Sequence, residues 1–289
     1  MWKKFKILII FIICVAEVQA QLPETDLWLF KLKTEDKKLI LGEGKNITLR
    51  KGYDNQPFFT SDNKNILYVS IREDNQADVY RYDLGKEQSV QLTKTKESEY
   101  SPNYTPDGKT ISCVVVEKDS TQRLWLYNLD GTVKKCYNEG IDSIGYYTWL
   151  TNDTLLYYKL TDPHSLRMYI ETGKADKWIC NSPTRAFKHL EGNLFLYGIK
   201  DSLAVQYRTY DPLLRKSTEY AYHSSKSEDF VWNKTYGLVK SEGTRLLRYN
   251  TLDKSWNVLF DFTSAGIKKI TRFAFDSKNK YVVVVDNNL

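Results

Sequence analysis

The side chains of this 289-residue chain that could do chemistry are few and dispersed. Its three histidines, His164, His189 and His223, stand far apart, whereas a metal site usually gathers His, Cys or carboxylates at short spacings. A serine hydrolase needs a Gly-x-Ser-x-Gly elbow. The nearest approach, Ser143 between Gly140 and Gly145, has the wrong spacing. The carboxylate pairs Glu97/Glu99 and Asp74/Asp78 have the residue types of a general acid and base, but they fall in short polar stretches where such pairs are normally solvated. Beyond residue 20 there are three cysteines, Cys113, Cys136 and Cys180, an odd number that excludes a full disulfide framework. Cys136 and Cys180 sit at matching places in successive repeats. A bridge would need their Cα atoms within about 7 Å, so buried thiols acting as small apolar side chains are expected. No catalytic residue, metal ligand or cofactor is assigned.

A second group of residues suits binding. Asp54 and Gln56, Glu99 and Tyr100, Asp142 and Tyr146, Arg185, Asp229 and Arg272 each fall just ahead of, or at the start of, a recurring strand–turn–strand unit. Mixed charges with tyrosines can hold a peptide terminus or an extended segment. The alternative is an ordinary polar rim around water.

The units that must position these residues begin near residues 58, 103, 147, 187, 230 and 273. An aromatic residue precedes the turn at Phe59, Tyr104, Trp149, Trp232 and Phe275. The steps are 45 and 45, then 83 across two units, then 43. Pro106-Asp107-Gly108 shows the turn chemistry most plainly, with Pro fixing φ and Gly tolerating a positive one. The strand after each turn is continuously apolar, as at residues 66–69, 113–116, 155–158, 194–197 and 281–285. Such runs mark strands covered on both faces. More polar third strands are expected near 79–84, 124–129, 166–170, 205–210 and 245–250, and fourth strands near 89–93, 134–137, 177–180, 218–222 and 256–260.

A period in the low forties is that of four-stranded propeller blades. The sixth unit supplies only two strands, at residues 271–286, while residues 27–32 and 38–41 look like the missing third and fourth. The expected fold is therefore all-β: a six-bladed β-propeller of four-stranded antiparallel blades, the last blade closed by N-terminal strands. An open β-sandwich is the alternative, but it requires neither the period nor the complementary ends. In a propeller the loops entering the first strands gather at one mouth of the central channel, which brings the nine binding candidates to one place.

Residues 104–109 (Tyr-Thr-Pro-Asp-Gly-Lys), with the weaker 60–64 and 276–280, resemble the Ser-Pro-Asp-Gly-Lys signature of WD40-like (PD40) repeats, which build the six-bladed propeller of TolB-like proteins. The resemblance runs through nearly the whole chain after residue 20, and is weakest in the fourth and fifth units. It implies a propeller without specifying its ligand. TolB itself carries an α/β domain ahead of its propeller. The few residues between Gln21 and Leu27 leave no room for one, so TolB's full role is not implied.

Residues 1–20 read as a signal peptide: Lys3, Lys4 and Lys6, an apolar run over residues 7–16, and a small-residue cleavage site at residues 18–20. The run is shorter than the roughly 20 apolar residues of a membrane span. An uncleaved anchor is the alternative. Residues 21–289 are then expected to form one propeller domain, periplasmic or secreted, monomeric and without a transmembrane span. The formal charge of +6 falls to +4 without the three Lys and one Glu of the leader, and the charges are spread evenly. That pattern gives no nucleic-acid footprint. The expected partner is an envelope or secreted protein or peptide bound at the channel mouth. The alternative is a carbohydrate- or peptide-active enzyme, lyase- or hydrolase-like, using carboxylates at that mouth. The 21 tyrosines suit half-buried strands, where the ring packs and the hydroxyl reaches water.

Overall fold

A computed structural model of the chain describes residues 23–35, 38–224 and 227–287; the segment read as a leader lies outside them. Blade I consists of β3 (Tyr53–Phe59), β4 (Asn65–Ile71), β5 (Ala77–Asp83) and β6 (Gln88–Gln91). Blade II consists of β7 (Ser98–Tyr104), β8 (Ile111–Val116), β9 (Gln122–Tyr127) and β10 (Val133–Cys136). Blade III consists of β11 (Ile144–Trp149), β12 (Thr154–Lys159), β13 (Ser165–Ile170) and β14 (Ala175–Asn181). Blade IV consists of β15 (Pro183–His189), β16 (Phe195–Lys200), β17 (Val205–Asp211) and β18 (Lys216–His223). Blade V consists of β19 (Phe230–Asn233), β20 (Gly237–Glu242), β21 (Arg245–Asn250) and β22 (Ser255–Asp261).

Blade VI is shared by the two ends of the chain. β23 (Ile270–Phe275) pairs with β24 (Tyr281–Asn287), β24 with β1 (Thr25–Glu35), and β1 with β2 (Lys38–Asn46), all antiparallel. The β1–β24 register runs without a break from Thr25 opposite Asn287 to Lys31 opposite Tyr281. Strand addition of this kind removes the open edge that β24 would otherwise present.

The core is not one mass but six layers, one between each pair of neighbouring blades. The second strand of a blade feeds two of them, because successive side chains point to opposite faces. Val282 and Val284 pack toward Phe262 of blade V, whereas Val283 and Val285 pack toward Phe59 and Tyr68 of blade I. Leu155 and Tyr157 face blade II, and Leu156 and Tyr158 face blade IV. The remaining layers join blades I and II around Leu67 and Cys113, and blades IV and V around Tyr207 and Phe230. Six layers for six blades close a ring, and they explain the continuous apolar runs of the second strands. Cys113 and Cys180 are buried in these layers, Cys136 is half-buried, and all three are free thiols.

The turns between first and second strands share one device. The Asp107 carboxylate accepts from the Thr105 hydroxyl (2.7 Å) and the Lys109 amide (3.1 Å), and Gly108 takes the left-handed φ of +68°. Asp62 repeats this with Thr60 (2.6 Å) and Lys64 (3.0 Å), and Asp276 caps the amides of Lys280 and Tyr281 at 2.6 Å each. These turns also touch across blades. The Asn63 side chain exchanges two hydrogen bonds with Ser277, which ties blade I to blade VI. Among the described residues no helix is long and apolar enough to cross a membrane.

Candidate functional site

The six innermost strands surround a cavity of about 140 Å3, to which each contributes: Gln56 from β3, Ser101 from β7, Tyr146 from β11, Arg185 from β15, Val231 from β19 and Arg272 from β23. Local irregularity aims some of these groups. β3 and β7 each lose register with their neighbours, between Asn55 and Phe58 and between Tyr100 and Asn103. Inside these bulges Gln56 and Ser101 take positive φ (56° and 53°), each just ahead of a proline. A bulge adds a residue and re-aims the strand. Here it lets the Gln56 Oε1 accept the Ser101 amide hydrogen at 2.5 Å, joining blades I and II beside the axis.

On the other side of the cavity is a charged group. Arg185 donates through Nε (3.1 Å) and Nη2 to the same oxygen, Oδ2, of Asp229, and Nη2 also reaches the Thr271 carbonyl at 3.1 Å. Arg272 lies 3.8 Å from that Asp229 oxygen, stacks over the Tyr146 ring at 5.2 Å and donates to its hydroxyl at 3.3 Å. Lys188, further along β15, also lines the cavity. Burial pushes its ammonium below the usual lysine range; Asp229 opposes this drop and Arg272 adds to it. The residue is half-buried, and it lines the cavity.

Of the nine sequence candidates, Gln56, Tyr146, Arg185, Asp229 and Arg272 come together on this cavity, and Asp54, Glu99, Tyr100 and Asp142 do not line it. Asp54 is fully buried, 3.2 Å from Arg50 Nε, and its backbone carbonyl accepts from the Thr25 hydroxyl. Glu99 is fully buried between blades I and II, where it accepts from Thr93 (3.0 Å), Thr95 and Tyr127 (3.1 Å). Burial raises its pKa to about 7 against these hydrogen bonds, with Asp78 nearby adding to the rise. Tyr100 packs beside Val69 and Ile71, and Asp142 pairs with Lys159 at 3.6 Å. Lys188 is the charged cavity residue that loop reading does not find. It lies within a strand, beyond a register break between Pro183 and Phe187 that hides which way it faces. The one signal in sequence is a lysine directly after the apolar pair Ala186-Phe187.

A second charged group lies in blade V. The Lys240 side chain is fully buried; its Nζ donates to Glu242 (2.9 Å) and lies 2.8 Å from His223 Nδ1. Burial lowers the pKa of both Lys240 and His223. This lysine is paired within the chain, with Glu242 of its own strand and His223 of the neighbouring blade.

Fold and site together define a six-bladed β-propeller with a charged axial cavity. Among solved structures the chain is similar to a putative TolB from Agrobacterium tumefaciens, at 10% identity and a TM-score of 0.67, with 91% of this chain and 98% of that one covered. It is also similar to a chain of a nidogen/laminin complex (11%, TM-score 0.62, 91% and 98% covered) and to an oligogalacturonate lyase in complex with manganese (11%, TM-score 0.55, 84% and 79% covered). At such identities the likeness is one of fold. No protein-family model matches the sequence. No curated protein matches it.

Among the described residues no three His, Cys, Asp or Glu side chains gather to hold a metal ion. His164 lies against the Tyr158 ring, His189 Nε2 bonds the Gly192 carbonyl at 2.7 Å, and His223 lies beside Lys240. The three histidines thus lie apart, each engaged with its own neighbours.

Proposed function

We propose that this protein is an exported, non-catalytic propeller that holds a segment of a partner protein or peptide at the mouth of its central channel. The observation that carries the reading is the convergence of six strands on one polar cavity, with Tyr146, Arg185, Asp229 and Arg272 joined in a single network beside it. A rigid ring holding stacked aromatic and guanidinium groups is preorganised for an extended chain, so little side-chain entropy is lost on binding. The partner is an envelope or secreted protein. Residues 1–20 direct export, residues 21–289 form the working domain, and the protein acts as a monomer. Of the mouth carboxylates, Asp54 and Glu99 are buried and engaged, Asp142 pairs with Lys159, and Asp229, which lines the cavity, is held by Arg185; the binding reading uses that pair as it stands.

Selection of a displayed random-peptide library on the mature protein tests this reading. Peptides that bind wild type and fail on Arg272→Glu support it. Peptides that bind wild type, Arg272→Glu and Asp229→Arg equally overturn it. Amino-terminal sequencing of protein recovered from the periplasm or medium should begin at Gln21. A chain retained in the membrane fraction with Met1 in place overturns the export reading.

A further inference from the structure

The axial cavity has three cationic side chains, Arg185, Lys188 and Arg272, and one anionic one, Asp229, an excess of two positive charges (three minus one). Asp229 is already committed. One of its oxygens takes both Arg185 nitrogens and has Arg272 at 3.8 Å. The Lys188 ammonium has no hydrogen-bond acceptor or ion-pair partner within 4 Å among the described residues, and Asp229 acts on it only at longer range. An unpaired ammonium partly withdrawn from water is costly, and such groups are ordinarily paired. The same fold shows how it treats a buried lysine it means to satisfy: Lys240 has Glu242 and His223 within 2.9 Å. Guanidinium forks and an ammonium around one small cavity match a carboxylate, and the low-dielectric walls strengthen their field there. About 140 Å3 is room enough for a carboxylate together with the short side chain or chain end that carries it.

We infer that the channel contains a carboxylate-binding subsite, formed by Lys188 with Arg272 and Arg185, which takes an acidic side chain or the carboxy terminus of the segment held at the mouth. The inference deepens the binding reading above by naming the charge the partner segment must carry.

The test needs no partner. The melting temperature of the mature protein is followed at pH 7 and fixed ionic strength while sodium chloride is replaced by sodium acetate. N-acetylglycine, which mimics a chain terminus, and N-acetylglutamate amide, which mimics an acidic side chain, are then used in the same way. A saturable rise of roughly 3 °C is expected in wild type. The rise should vanish in Lys188→Met and shrink in Arg272→Gln, and the better of the two mimics identifies the source of the carboxylate. No rise in wild type, or a full rise in Lys188→Met, overturns the subsite. If Lys188→Met does not fold, amine acylation of wild type followed by peptide mapping decides. Saturating acetate should protect Lys188 and leave surface lysines reactive, and an unprotected Lys188 overturns the subsite. Failure of the peptide selection with the acetate response intact removes the binding reading alone, and the reverse result removes the subsite alone.

Discussion

Leu27 pairs with Val285 across β1 and β24, and both side chains pack into the layer that holds Phe59 and Tyr68 of blade I. The residues stand at opposite ends of the chain, so this one contact joins N-terminal strand, C-terminal strand and first blade.

Leu27→Ala should therefore weaken the whole ring rather than fray an end. Leu27 is fully buried, and removing a buried leucine side chain costs about 2–5 kcal/mol. Urea unfolding should show a lower midpoint with one cooperative transition. A separate early transition confined to blade VI would show that the ring is not one cooperative unit. Removing residues 21–41 should expose the β24 edge and lead to association, visible as larger species in size-exclusion chromatography.

The aspartates of the turns should differ in effect, although they occupy one repeat position. Asp107 is exposed and accepts from one hydroxyl and one amide, whereas Asp276 is buried and caps the amides of Lys278, Lys280 and Tyr281. Losing hydrogen bonds that water can replace costs little, and orphaning buried donors costs more. Asp107→Ala should lower stability by about 1 kcal/mol and Asp276→Ala by about 2–3 kcal/mol. Equal losses in denaturant titrations would remove burial as the cause.

Glu99 gives the fold a pH dependence opposite to that of an ion-paired carboxylate. Its folded pKa is raised to about 7 by burial. That of Asp78, which shares the Thr93 hydroxyl with it, is also raised by burial. A raised carboxyl pKa means the folded state binds more protons than the unfolded one across the interval. Stability from this group is thus complete below the ordinary glutamic pKa and is lost as pH rises toward 7. The size is roughly 3 kcal/mol from the separation of the two pKa values. Unfolding midpoints should fall between pH 5 and pH 8 in wild type and much less in Glu99→Gln, whose amide stays neutral. An unchanged slope in the variant would place the titrating group elsewhere.

The blades were legible in the sequence because side-chain alternation in a second strand must satisfy two neighbours at once, which leaves continuous runs such as residues 282–285. Ring closure was legible for a related reason: the unit starting at β23 lacks two strands that β1 and β2 supply. Facing near the axis was less legible. Gln56 and Ser101 take left-handed backbone angles although a following proline ordinarily favours extended backbone, and each bulge resets which neighbour turns inward. Asp54 and Glu99, ahead of those bulges, are turned into the protein interior, and Lys188, after a third break, faces the channel. Residue type marks a group as fit for binding, and the bulges decide whether it arrives.

Asp229 links the stability of the ring to its axial charge. It is the one anion among the described residues lining the cavity, and it holds Arg185 directly and Arg272 at longer range. Asp229→Asn keeps the shape of the side chain and removes that charge, leaving three cations together. Removing one partner of a buried pair is strongly destabilising, but Arg185 is partly exposed, so a loss of about 1–3 kcal/mol is expected. Because the loss is electrostatic, added salt should recover part of it in the variant while changing wild type little. Lys188→Met in the Asp229→Asn background should recover stability, since it removes one of the repelling charges. The two changes should therefore be non-additive in a double-mutant cycle. Additive effects, or a loss insensitive to salt, would mean that Asp229 matters for packing and that the cavity does not behave as one electrostatic unit.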